Sequence, residues 1–434
     1  MSVRRCAGRF FGKKIAKNAL SLYNDEDNYP GKAELMSKKT TVWQWLKKLS
    51  NYAFIGVILL ITLVGLVKTV CFPDDMSEYE NRYAEKVDKL TIGAYLDGSF
   101  QESMDDALGD QVTLSSTFKK LYNKLNTMLQ SLTGNAIIEN TEYFEDHYFW
   151  LDGTRMFSRD TLVYGTYPEY ELEKLDARIE SYNNIFADFP ETEFYLYYIE
   201  KDTDINFETN EKVPFYDKLR DNLNLPAENM ACFRINSFEE FSQLFYKTDH
   251  HWNYAGSYKG YGEVMELLKC EEALLEPVEL VTTPGRFSGS KAATSGAMFS
   301  EPFSAYRFEF PEMKITISGY PAPDYGDQPG YLSGLWGAPT YGKFYGGDDS
   351  EIIFDTARPE RENLLIIGES YDNAVLKLIA SHYNRTHSID LRYYEAVMGE
   401  EFALAAYLEE HDISKVLLIG NVDYYLMSDF MLGE

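Results

Sequence analysis

The last 75 residues alternate short apolar runs with amphipathic stretches, and this rhythm leaves few folds open. Leu364–Ile367, Ser388–Tyr393 and Lys415–Ile419 read as strands, with helices predicted at Asp372–His382 and Glu401–Glu410. Such alternation predicts a parallel α/β sheet with helices on both faces. Ligands bind such sheets beyond the carboxyl ends of the strands, where Ser370 and Asn421 fall. The rhythm extends upstream. Helices are predicted at Tyr170–Phe186, Phe215–Asn222, Phe238–Phe245 (capped by Ser237) and Tyr254–Leu268, and strands at Thr192–Ile199 and Ala231–Ile235. Residues 271–360 interrupt it with glycine, proline and aromatics, predicting short strands and long loops that cover the rim. Residues 74–147 read as mostly helical; Ser116–Leu132 has the apolar spacing of a packing helix.

A second feature divides the chain. Tyr52–Phe72 holds one charge, Lys68, and as a helix rises about 31 Å, enough to cross a bilayer core. Residues 1–51 carry a net charge of +7 and residues 73–434 a net charge of −36. Basic flanks stay in the cytoplasm, so the acidic bulk is expected outside. Trp43, Trp45 and Tyr52 suit one membrane interface, and Lys68 can snorkel. No small-x-small cleavage site follows Val70, which favours a retained signal anchor over a cleaved signal peptide. The expected organisation is a cytoplasmic basic segment (1–51), a transmembrane anchor (52–72), a helical stalk (73–147) and an α/β domain (148–434) with its insertion at 271–360. The acidic balance argues against nucleic acid as partner. Of four cysteines, Cys232 and Cys270 lie in the outer domain, as one disulfide or two thiols.

Two motifs carry chemistry. Thr248-Asp249-His250-His251-Trp252-Asn253 places a carboxylate two residues before an imidazole. On extended backbone both would face one cleft while His250 points away. An aspartate beside an imidazole sets its tautomer and supports its cation. Asp-His-His could also ligate zinc, but no further ligand has recognisable spacing, and the sequence implies no metal and no cofactor. Leu364-Leu365-Ile366-Ile367-Gly368-Glu369-Ser370 places a serine between a strand and a helix. There it is either a helix N-cap or a nucleophile. Leu417-Leu418-Ile419-Gly420-Asn421 ends a strand on the same rim, where Asn421 is either an oxyanion donor or a turn residue.

Asp249-His250-His251-Trp252 is the name-giving signature of the DHHW family of bacterial membrane-anchored proteins. The chain resembles that family and the SGNH-hydrolase-like alginate O-acetyltransferase proteins, in which the Asp-x-His pair precedes the serine. Further landmarks are Glu80-Asn81-Arg82, Asp97-Gly98-Ser99-Phe100, Tyr148-Phe149-Trp150-Leu151-Asp152-Gly153, Gly346-Gly347-Asp348 and Asn421-Val422. The resemblance covers most of residues 76–425 and implies an SGNH-like, flavodoxin-like sheet. It implies Ser370 as nucleophile, His251 as base and Asp249 as its orienter, with Asn421, Gly368, Tyr371 and Trp252 around the oxyanion and substrate. One departure stands out: the family's serine block is usually Asp-Ser, and here it is Glu369-Ser370.

The implied function is a membrane-anchored, extracellular serine O-acyltransferase or esterase. It would add acetyl groups to cell-envelope polysaccharide or remove them, with a separate multi-span membrane protein delivering the acyl donor. The alternative is a catalytically inactive glycan-binding or scaffold protein of the envelope. It would use the flat faces supplied by 34 tyrosines, 27 phenylalanines and five tryptophans.

Overall fold

The computed structural model describes residues 30–74, 76–77, 82–111, 117–119, 121–122, 125, 148–151, 154–157, 161–167, 171–207, 209–295, 300–326, 330, 333 and 340–427. Most of the packing helix expected at Ser116–Leu132 lies outside them. The described residues fall into two compact units.

The first unit holds α1 (Pro30–Cys71), α2 (Ile92–Asp97) and α3 (Ser99–Gln111). Within α1, Leu49–Cys71 is long and apolar enough to span a membrane, with a mean hydropathy of 2.5. Phe54, Leu59, Leu60, Ile61 and their neighbours are exposed along this stretch. Lys68 Nζ lies 2.6 Å from Asp74. Gln111, buried at the end of α3, ties down the chain between α1 and α2 through its bonds to the Asp74 and Glu85 backbone. Among the described residues of the expected stalk, 84–91 run without regular structure ahead of α2.

The second unit is built on an eight-stranded sheet. After a small antiparallel sheet of Tyr148–Leu151, Thr154–Phe157 and Leu162–Tyr164, its main elements in chain order are α4 (Glu171–Asp188), β1 (Glu193–Ile199), α5 (Phe215–Asn222), β2 (Met230–Phe233), α6 (Phe238–Leu244) and α7 (Tyr254–Leu267). The insertion contributes β3 (Glu279–Phe287), β4 (Glu301–Arg307), β5 (Lys314–Ile317), β6 (Tyr320–Pro321), α8 (Tyr341–Tyr345) and β7 (Glu351–Asp355). The chain closes with β8 (Leu364–Ile367), α9 (Leu376–Ala380), β9 (Arg385–Ile389), α10 (Leu391–Met398), α11 (Leu404–His411), β10 (Lys415–Gly420) and α12 (Val422–Leu426).

The sheet order is β6-β5-β7-β9-β8-β10-β1-β2. Strands β9, β8, β10, β1 and β2 run parallel. The β6-β5, β5-β7 and β7-β9 pairs are antiparallel, so the sheet is mixed. The strands outside the insertion are parallel as expected, and the insertion adds the antiparallel edge, while its β3–β4 hairpin forms a sheet apart. Side chains alternate along the central strands and serve two cores. Tyr195, Tyr197, Leu364, Ile366, Leu417 and Ile419 enter one. Phe194, Leu196, Leu365, Ile367, Val416 and Leu418 enter the other. Burial on both faces explains why these strands read as unbroken apolar runs.

One expected strand lies partly in a helix. Ser388–Tyr393 straddles the end of β9 and the start of α10, because Asp390 stops the strand and caps the helix by accepting from Arg392 N–H. The helix expected at Asp372–His382 is a 3-10 turn, Asp372–Ala374, followed by the short α9. Cys232 and Cys270 are separate free thiols.

Candidate active site

The motif loop is closed before it reaches the sheet. Phe245 bridges Trp252, Tyr246 N–H donates to His251 O (3.1 Å), and Asn253 N–H donates to Leu244 O (2.8 Å). Asn253 then caps α7 by accepting from Ala255 and Gly256 N–H. Within the loop the backbone bends, which corrects the extended geometry expected of residues 249–251. Asp249 Oδ1 accepts the His251 backbone N–H at 3.0 Å, an aspartate turning the chain on its own carboxylate. His250 does not point away: its ring lies 3.9 Å from that of His251 and bonds Ser290 Oγ through Nδ1.

The two motifs, 119 positions apart, meet. Ser370 Oγ lies 2.8 Å from His251 Nε2, and His251 Nδ1 lies 2.5 Å from Asp249 Oδ1. Ser370 is half-buried beyond β8, while Asp249 and His251 are buried. The serine caps no helix: the 3-10 turn after it begins at Tyr371 with no side-chain cap. Its own N–H and that of Tyr371 have no acceptor among the described residues, leaving two amides beside the hydroxyl.

The imidazole is held on every side. The Tyr341 ring stacks on His251 at 3.7 Å and 5°, and Tyr371 packs at 4.9 Å. Asp249 Oδ2 accepts Ser290 N–H at 2.8 Å. Burial alone would raise the Asp249 carboxyl. The facing His251, their hydrogen bond, His250 and the Ser290 N–H outweigh burial and hold it far below the usual carboxylate range. The segment supplying Ser290 is fastened by a fully buried ion pair, Lys291 Nζ to Asp202 Oδ2 at 2.5 Å, and by Ala292 N–H donating to Thr248 O. Asp249, His250 and His251 offer three ligand atoms within 4.8 Å of one another, but Asp249 and the His251 Nδ1 are spent on each other.

Neither Tyr341 nor Ser290 was singled out from the sequence. Both lie in the insertion, whose glycine-rich loops gave no register relative to His251. Gly289 shows how closely this segment approaches: a Cβ there would sit 2.3 Å from Asp249 Cβ and 2.6 Å from Asp249 Cα. Gly289→Ala is expected to cost about 1–3 kcal/mol of stability, since backbone must move. It should also lower ester turnover by displacing Asp249. Thermal unfolding and turnover of the full chain check both.

Other expected site residues have different jobs. Trp252 is fully buried against Phe233 (5.4 Å) and Tyr371 (6.0 Å), so it supports the loop from beneath. Gly368 donates its N–H to Ile389 O; a Cβ there would meet Asp372 Oδ2 at 2.2 Å, so its part is close packing. Tyr371 is fully buried and donates its hydroxyl to His250 O, leaving its backbone N–H as its offering to the site. Asn421 stands one bond behind the serine: Nδ2 donates to Glu369 Oε1 at 2.9 Å, and Oδ1 accepts from Asp423 N–H as the α12 cap. Glu369 Oε2 lies 3.1 Å from Ser370 Oγ.

No family model and no curated protein matches the chain. Among solved structures it is similar to Bacillus cereus PatB1 with a sulfonyl adduct (18% identity, 64% of this chain and 99% of that one, TM-score 0.46). It is similar to a DHHW family protein from Eubacterium siraeum (15% identity, 65% and 94%, TM-score 0.48). It is also similar to the O-acetyltransferase domain of Pseudomonas putida AlgJ (10% identity, 65% and 93%, TM-score 0.33). These similar structures include a DHHW family protein and an O-acetyltransferase domain, all at low identity.

Proposed function

We propose that this chain is a membrane-anchored serine O-acyltransferase or esterase acting on cell-envelope polysaccharide through Ser370, His251 and Asp249. The observation that carries the reading is the continuous relay from Ser370 Oγ through the His251 ring to the Asp249 carboxylate. In this mechanism His251 Nε2 takes the serine proton while Oγ bonds to the acyl carbon. The Ser370 and Tyr371 amides accommodate the negative oxygen. The imidazolium returns its proton to the leaving group, and the acyl chain stays on serine. A sugar hydroxyl, or water in an esterase, then gives its proton to His251 and takes the acyl group, and the serine recovers its hydrogen.

The acetyl group and the glycan acceptor are what the motif resemblance implies. The apolar helix Leu49–Cys71 supports anchoring, and the charge asymmetry supports an outward-facing α/β domain. A single span offers no conduit for an activated acyl group, so a separate multi-span protein would deliver it.

The test is fluorophosphonate labelling of the full chain in detergent. Stoichiometric modification of Ser370, blocked in His251→Ala, is expected. Glycan binding with no labelling would replace the enzyme by the non-catalytic binder.

A further inference from the structure

With His251 neutral, as a general base must be, the hydrogen count around Ser370 Oγ does not close with an ionised Glu369. The hydroxyl has one hydrogen and two close partners, His251 Nε2 at 2.8 Å and Glu369 Oε2 at 3.1 Å. The His251 Nδ1–H is directed at Asp249, so in the neutral ring Nε2 is the acceptor and takes the serine hydrogen. A bond between Oγ and Oε2 then needs a hydrogen carried by Glu369. The other carboxyl oxygen behaves as a carbonyl: Oε1 accepts from Asn421 Nδ2 (2.9 Å) and from Asn421 N (3.4 Å).

The charged surroundings agree. Glu369 is buried, and no cation bonds to it among the described residues. Arg392 is spent on Asp390 and Asp348, and Lys201 on Asp423. The charged and titratable groups that act on Glu369 are Asp348 from the loop after α8, Asp372 and Tyr371 from the turn after β8, and Arg392 at the start of α10, whose charge Asp390 partners. Lys201 beyond β1, Tyr425 on α12 and His251 complete its surroundings. Burial pushes the Glu369 carboxyl up, against the pull of Arg392, His251 and Lys201, and Asp348 adds to the rise.

We propose that Glu369 acts as a neutral carboxylic acid, held by Asn421, that donates from Oε2 to Ser370 Oγ at rest and to the acyl oxygen as it becomes negative. The proposal rests on the serine acyl reading above and adds a third oxyanion donor to the two backbone amides. No proton leaves Glu369: its hydrogen bond shifts from Oγ to the acyl oxygen and strengthens as charge builds. Ionised, the same group would set a negative charge beside the oxyanion, so activity is lost as pH rises through the elevated Glu369 range.

The experiment compares Glu369→Gln with Glu369→Ala in the full-length protein, using p-nitrophenyl acetate across pH. Glutamine keeps an acceptor for Asn421 and a donor for the acyl oxygen, and cannot ionise. It should lower kcat by less than about 10-fold and lack the alkaline decline of the native profile. Alanine should lower kcat by about 10²–10³-fold, the usual effect of removing one oxyanion donor. A glutamine variant as poor as alanine, or one that keeps the alkaline decline, overturns the proposal. Infrared spectra of the native protein with ¹³C-labelled glutamate give a readout without turnover. A carboxylic-acid carbonyl band at neutral pH that shifts in Ser370→Ala and disappears in Glu369→Gln is expected; a native spectrum with no acid band that Glu369→Gln removes overturns the proposal. An acid band in a protein whose Ser370 resists fluorophosphonate would instead remove the acyl-transfer reading and keep only the protonated carboxyl.

Discussion

Ser370→Ala is expected to lower acetyl-ester turnover by about 10⁶-fold while leaving stability nearly unchanged. The size follows from how the three groups act as a unit: without Oγ the imidazole has no proton to take and the acyl group has no covalent stop. What remains comes from the backbone amides and from binding. Stability is spared because the Ser370 side chain is half-buried and caps no helix. Its bonds to His251 and Glu369 join groups that keep other partners, Asp249 and Asn421. Turnover of the purified full chain, with its unfolding transition measured alongside, is the check. Undiminished hydrolysis in the alanine variant would place the chemistry elsewhere.

Asp249→Asn should lower turnover by about 10⁴-fold, for a different reason. The native carboxylate accepts on both oxygens: Oδ1 from the His251 ring and backbone N–H, and Oδ2 from Ser290 N–H. An amide offers one oxygen. With that oxygen toward Ser290, the NH₂ faces the ring and drives the hydrogen onto Nε2, which then cannot receive the serine proton. With it toward the ring, the NH₂ confronts the Ser290 N–H instead, a buried mismatch costing about 1–3 kcal/mol. The first arrangement also turns the NH₂ against the His251 backbone N–H, so both cost stability. The imidazole tautomer, read by ¹⁵N NMR in the folded protein, changes in the first and is preserved in the second. Native turnover in the asparagine variant would remove Asp249 from the mechanism.

Much of this was legible because it is local. Apolar runs such as Leu364–Ile367 and Lys415–Gly420 declared buried strands, since a strand covered on both faces has no polar side to show. Ser237 caps the helix that follows it, as residues of that kind do wherever a helix starts. The division between an apolar helix and an acidic α/β unit is a matter of composition alone. Spacing misled where a side chain competed with the backbone: Asp249 bent a segment expected to be extended, and Asp390 ended a strand early.

The sequence by itself determined the strand–helix order of the sheet's parallel half and the residue types at its rim. It also named the serine, imidazole and carboxylate that meet there. Only the tertiary structure decided that Tyr341 stacks on the imidazole, that Ser290 holds Asp249, and that Asn421 reaches the serine through Glu369. The physical reason is separation along the chain. Turn chemistry and periodicity act over a few residues, whereas these contacts join positions about 40 to 90 apart. Their geometry is set by how the insertion and the strand ends pack, which no local pattern encodes.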